Sequence, residues 1–456
     1  MNRFSCLSSF FLVMALTTGC LLGPDYTAPE APADLPEAFR DAPAADPAVQ
    51  ADWLAAWNDP LLSELVAEGL STNLTLQAAQ SRLAQSRASL SQARAALFPS
   101  LGLSASASAN KTYDPSDSSE SYRGGADAGW ELDLFGRNRR SAEASEADLE
   151  AAGYTLADAK LSLESEIISD YVALRLAQES LDIARTNLAA DLRSAEIARA
   201  KGESGFTSGS DVAAAEASIA TSRAALPARE AAVSACARAL ELLLARAPFS
   251  LEEKLDAKAP IPVAPAPPSI APADVLARRP DVRKAAANLH AATARIGAVR
   301  AARYPAINLA AGATISADSL SGWSDGMKSL SIGPSVSLPL FQGGRLKAAE
   351  EQARAAANES LINYHDTVLS AVHETQNGWV KLAAERARTE DLEAAVKHDI
   401  DALDAAEELY RVGQGSYTTV LQRQTALLSA RQALAQHRAD LATLTVSLVK
   451  SLGGAL

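Results

Sequence analysis

Five histidines, His290, His365, His373, His398 and His437, are the side chains in this sequence best suited to bind a metal or shuttle a proton. Their spacing serves neither purpose. No pair forms a metal motif such as HExxH, and each reads as a solvated residue on a helical run. No metal and no cofactor is expected. Carboxylates offer a second chemistry, because Asp127, Glu131 and Asp133 crowd one short stretch as an acid and its partner base would. Their spacing is even, so a strand turns all three to one face with water, where they bias ion passage as lumen charges. No nucleophile with an adjoining base accompanies them, and no enzyme is expected.

Cysteine offers a third chemistry, lipidation. Arg3, an apolar run from Phe10 to Leu16, and Thr17-Thr18-Gly19-Cys20 make a secretory signal too short to span a bilayer. Small residues before a cysteine resemble a bacterial lipobox, here with Thr17 where Leu is usual. Residues 1–19 therefore read as a signal peptide and Cys20 as the lipidated first residue of the mature chain. Leu21 follows it, without the Asp that directs retention at the inner membrane. Cys6 leaves with the signal, so Cys236 has no partner and reads as a small buried hydrophobe. The net charge of -13 argues against nucleic acid, whose phosphates need clustered Lys and Arg.

These residues are positioned by a duplication. Ser337 to Arg345, SLPLFQGGR, repeats Glu131 to Arg139, ELDLFGRNR, with Leu338, Leu340 and Phe341 each 206 positions after Leu132, Leu134 and Phe135. Before each joint, apolar residues occupy every second position. Leu101, Leu103, Ala105 and Ala107 form one such strand, Ala126, Ala128, Trp130 and Leu132 the next, and Ile307 to Ile315 and Leu330 to Leu340 their counterparts. One face is apolar and the other polar over about ten residues, the pattern of a transmembrane β-strand. An antiparallel sheet lying on a core alternates in the same way, but no other apolar layer is available to cover these faces.

After each joint the period changes to that of a long helix, about 137–200 and about 346–410. Each ends in a glycine-bearing turn, around Gly202 and Gly413, and a return helix follows. Val212, Ile219, Leu226, Val233 and Leu240 are matched 208 positions later by Val420, Leu427, Leu434, Leu441 and Leu448, the stripe of an antiparallel coiled coil. The expected plan is a signal at 1–19, an extended lipidated tether at 20–52, a first repeat at 53–255, a proline-rich linker at 256–272 and a second repeat at 273–456. A first long helix of about 95 Å, some three times a bilayer core, must stand in water. Four strands per chain cannot close a barrel in a membrane, so the chain must oligomerise; three copies give 12 strands and a wider bore than two.

Gly23-Pro24-Asp25-Tyr26, Trp53 to Leu61, Arg279-Pro280-Asp281-Val282, Ile296-Gly297 to Pro305 and Leu338 to Gly343 give the chain a specific resemblance. It resembles the outer-membrane efflux protein family, the TolC-like channels, and their lipoprotein branch serving resistance-nodulation-division pumps. The resemblance implies a mainly α protein with transmembrane β: a homotrimer whose 12-stranded β-barrel in the outer membrane is continued by a periplasmic α-helical barrel. It implies an exit duct for substrates delivered by an inner-membrane transporter and a periplasmic adaptor. It places adaptor contacts at the turns of Gly202 and of Val412, Gly413 and Ser416. It places the periplasmic gate at Tyr410 and Asp211, with Thr419 and Gln422 where many relatives carry constricting acidic residues. A type I protein secretion channel and a lipid-anchored periplasmic coiled coil without a pore are the alternative readings.

Overall fold

The computed structural model describes residues 20–29, 36–43, 53–111 and 118–454. The signal peptide expected at 1–19 and much of the expected tether lie outside the described residues. In chain order the helices and strands are α1 (Pro60–Thr72), α2 (Leu74–Ala95), β1 (Ser100–Lys111), β2 (Ser118–Leu132), α3 (Arg137–Glu203) and α4 (Gly209–Leu243). They continue as α5 (Glu252–Leu255), α6 (Pro272–Arg278), α7 (Pro280–Ala301), β3 (Ala306–Ala317), β4 (Met327–Ser337), α8 (Arg345–Ala387), α9 (Thr389–Arg411) and α10 (Tyr417–Ser451).

Contacts divide the chain into two units: Met1–Glu30 with Ser81–Thr155 and Asp281–Thr367, and Ala31–Gln80 with Leu156–Pro280 and Val368–Leu456. Each unit draws on both repeats, which are therefore interleaved. In the first unit the strands form one antiparallel sheet in the order β1-β2-β3-β4. Strands of 11 to 15 residues are about 36–50 Å long, enough to cross a bilayer core when tilted. A strap of residues 20–29 is tied to the same unit. Gly23, at φ +100°, lies so close to Gly297 of α7 that a Cβ would stand 2.4 Å from the Gly297 Cα. Arg140 of α3, 2% exposed, donates to the Leu22 carbonyl and ion-pairs with Asp25 at 2.6 Å and Glu143 at 2.8 Å.

The second unit is a helical bundle in which Ile167, Leu174, Leu240 and Val446 pack with Trp53 and Trp57 in one apolar core. The capping residue of α1 ties in the neighbouring helix. Asp59 Oδ1 accepts from the Leu61 and Leu62 amides ahead of Pro60, and Asp59 Oδ2 accepts from the Tyr171 hydroxyl at 2.6 Å. Burial, then that hydrogen bond to Asp59, pushes the Tyr171 phenol up to about 12, so it stays a donor. The proline-rich segment is held down as well, the Ala257 carbonyl accepting from Arg175 at 2.6 Å.

Two expectations about the helices change. The single second long helix is broken at Arg388, between α8 and α9. Its apolar stripe advances seventeen positions from Trp379 to Val396, three beyond two heptads, a slip that overwinds a continuous coiled coil and inside which the break falls. His437 is not solvated: it is 2% exposed and bonds Glu385 at 2.7 Å and Thr389 at 3.0 Å, on either side of the break. His290 stacks on Tyr26 with ring centroids 4.4 Å apart and bonds Glu143 at 3.2 Å.

Candidate membrane sheet and candidate gate

Registered pairing sorts the sheet into two faces. Leu101, Ala128, Ala311 and Ile332 lie on one transverse row, and Gly102, Asp127, Gly312 and Ser331 on the next. The first face carries Leu103, 86% exposed, with Leu330 at 84% and Ile332 at 76%, a broad apolar surface. Among the described residues no helix is long and apolar enough to cross a membrane. The apolar face of the sheet has the character of a lipid-facing surface.

On the opposite face Asp127 accepts from Ser104 Oγ at 3.3 Å, and Glu131 stands beside Asn308. Asp133 does not join them. β2 ends at Leu132, and the Asp133 carboxylate instead accepts from the Asn138 and Arg139 amides at 3.1 and 2.9 Å and pairs with the Arg139 side chain. It caps the start of α3, where the free amides and the helix dipole favour a carboxylate. Cys20 is exposed at the start of the strap, two residues before the Leu22 amide that donates to Phe135 of the joint.

The turns belong to the second unit. Tyr410 ends α9 buried, its ring 5.4 Å from that of Tyr417 at the start of α10. Lys201, in the last turn of α3, donates to the Tyr410 carbonyl and holds its ammonium 4.2 Å from the centroid of the Tyr410 ring. Asp211, in the first turn of α4, accepts from Thr207 Oγ1. Burial pushes the Tyr410 phenol above its ordinary range, and Asp211 is the acid that adds to the rise. Burial pushes Tyr417 up to about 12, with Asp191 next in effect. The hydroxyls of both tyrosines are buried without a partner at hydrogen-bond geometry. The structure therefore brings Tyr410 and Asp211 into one cluster, joined by Lys201, Thr207 and Tyr417, three residues that no motif or period in the sequence singles out.

Of the other turn residues, Val412 is exposed and Gly413 adopts φ +82°, the left-handed conformation that ends a helix. Ser416 Oγ accepts from the Thr419 amide at 3.2 Å and caps α10, while Gln422 is exposed on that helix. Gly202 is not the turn glycine. It lies inside α3 against Val212, and the left-handed residue is Gly205, at φ +73°. Gly205 and the 85% exposed Phe206 match Gly413 and Gln414 at the same 208-residue offset as the return helices. Among the described residues no group of His, Cys, Asp and Glu is arranged to hold a metal.

A four-stranded sheet with an apolar face and two open edges, in a duplicated helical chain, can be compared with known proteins. The family description "Outer membrane efflux protein" matches residues 65–246 and 271–454. The chain belongs to the outer membrane efflux protein family. It is similar to nodulation protein T of Rhizobium leguminosarum bv. viciae, 32% identical over 92% of this chain and 87% of that one. It is also similar to the toluene efflux pump outer membrane protein TtgC of Pseudomonas putida, 31% identical over 98% of this chain and 95% of that one. Among solved structures it resembles the outer-membrane channel OprN, with a TM-score of 0.85 and 31% identity over 95% of this chain and 99% of that one. The protein is an outer-membrane channel of a tripartite efflux system in Gram-negative bacteria and is not an enzyme.

Proposed function

We propose that three copies of the chain close a 12-stranded barrel in the outer membrane, anchored by lipid on Cys20, and form the exit duct for an inner-membrane transporter and a periplasmic adaptor. The observation that carries this reading is the exposed apolar face of a sheet whose edge strands β1 and β4 are, among the described residues, paired on one side only. Inside a bilayer such edges are untenable, and further copies of the same sheet are the simplest cover. Asp127 and Glu131 then line a wet bore. At rest the cluster of Tyr410, Asp211, Lys201, Thr207 and Tyr417 holds the ends of α3 and α9 together, and the turns carrying Val412, Gly413, Ser416 and Phe206 receive the adaptor. Docking there draws the helix ends apart and opens the duct, while cargo is chosen by the transporter.

Single-channel recording in planar bilayers, with mass measured in the same detergent, tests the reading. A trimer with rare, small openings that enlarge when Asp211→Ala is combined with Tyr410→Phe supports it. A folded monomer that never conducts would refute it and favour a lipid-tethered coiled coil.

A further inference from the structure

A contact in the middle of the sheet has its two halves repeated, apart, at the sheet's edges. β2 leaves the sheet toward Phe135 and β3 enters it just after Tyr304, and these rings stand 5.0 Å apart. The duplication carries Phe135 to Phe341, beyond β4, and Tyr304 to Phe98, ahead of β1, each by 206 positions. Phe341 is 89% exposed and Phe98 69%. The same shift turns the β2·β3 ladder, with Glu131 opposite Asn308, into a β4·β1 ladder with Ser337 opposite Gly102.

We propose that β4 of one copy pairs antiparallel with β1 of the next in that register, Ser337 opposite Gly102 and Ser335 opposite Ser104, so that Phe341 closes on Phe98 of the next copy. The inference rests on the trimeric barrel proposed above and adds its residue-level seam. Faces agree across the seam: Val336 meets Leu103 and Ile332 meets Ala107 on the apolar side, while Ser335 meets Ser104 on the polar one.

The two hairpins differ by a slide of two residues, since Leu101 faces Ala128 whereas its counterpart Ile307 faces Val336. A seam carrying the same slide would place Ser337 opposite Ser104. Barrel closure decides between the two. A line across the strands runs from Ser100 to Gly129, Ala310 and Gly333, and the proposed seam returns it at Ser106 of the next copy. Six residues per copy make eighteen per barrel, or about 59 Å along the strands against about 58 Å across twelve of them, a tilt of about 46°. The slid seam returns at Ser108, and its tilt of roughly 54° lies well outside the usual 35–45°.

The proposed register also sets Lys328 opposite Lys111 of the next copy, a like-charge pair that weakens the seam. Two experiments on the full-length protein in outer membranes, in a Cys236→Ser background, test it. Ser335→Cys with Ser104→Cys is expected to give a reducible covalent trimer on mild oxidation, because directly opposite residues come within disulfide reach. Ser335→Cys with Ser106→Cys, and each single variant, should give markedly less. Lys328→Glu, which leaves the cysteines out, should raise the temperature at which the trimer dissociates. Stronger linking by the slid pair, or no linking and no thermal gain in a protein of trimer mass, overturns the register. A monomer mass for the unsubstituted protein overturns the trimer itself.

Discussion

Lys201→Met is the sharpest test of how the turns are held closed. The substitution keeps the apolar stem of the side chain and removes the ammonium that donates to the Tyr410 carbonyl and lies over the Tyr410 ring. A hydrogen bond from a charged donor contributes about 1.5–3 kcal/mol and an exposed cation–π contact about 0.5–1. Because Lys201 is half-buried rather than sealed from water, the low end applies, and the two together amount to about 2 kcal/mol. If the contact is made only in the closed state, its loss favours opening by a factor of roughly 30 at each turn. Open probability in planar bilayers should therefore rise by at least tenfold, with the melting temperature of the helical bundle nearly unchanged. Tyr410→Phe alone should do far less, since it removes a hydroxyl with no partner at hydrogen-bond geometry. A Lys201→Met channel that opens as rarely as the unsubstituted one, or a Tyr410→Phe channel that opens as readily as the Lys201→Met one, would refute the reasoning.

Three further outcomes follow from contacts away from the turns. Asp59→Ala removes the α1 cap and the acceptor for Tyr171, and should cost about 2 kcal/mol of stability, read as a lower thermal midpoint. Gly297→Ala places a Cβ 2.5 Å from the Leu22 carbonyl oxygen and 2.8 Å from Arg140 Cγ, so the strap should lift and protease should release residues 20–29 sooner. The Glu385 carboxyl is held below the usual carboxylate range, by its bond to His437 first and by Arg388 as well. A depressed folded pKa means that the native state binds fewer protons than the unfolded one. Its stabilisation is present above the unfolded value near ~4.3 and fades as pH falls through the lower folded value. Glu385→Gln should accordingly destabilise the protein most at pH 7 and progressively less as pH falls below the unfolded value, measured by denaturant unfolding.

The duplication, the strands and the return helices were legible because each rests on a period that repeats at a fixed offset. What escaped the sequence were places where a period ends. Asp133 continues the every-second-residue pattern of Asp127 and Glu131, yet the strand stops one residue before it, and free amides of α3 claim its carboxylate. Gly202 and Gly205 are both plausible turn glycines by composition, and only the backbone distinguishes the residue inside α3 from the one in the left-handed region. The break at Arg388 was present as a three-residue slip of the apolar stripe, but a four-residue step between Leu163 and Ile167 passes through α3 without interruption, so a slip does not announce a break. His437 carries no local sign of burial, because its partners Glu385 and Thr389 are supplied by two other helices, α8 and α9.

The open edges of the sheet also govern how such a channel is made. A single chain that entered the bilayer would expose two rows of unpaired amides and carbonyls to hydrocarbon, so membrane entry and subunit association must occur as one event. Biogenesis then depends steeply on the concentration of chains awaiting insertion. A subunit with a spoiled β4 edge would not simply be absent from the membrane. It would strand the healthy copies that had begun to assemble with it.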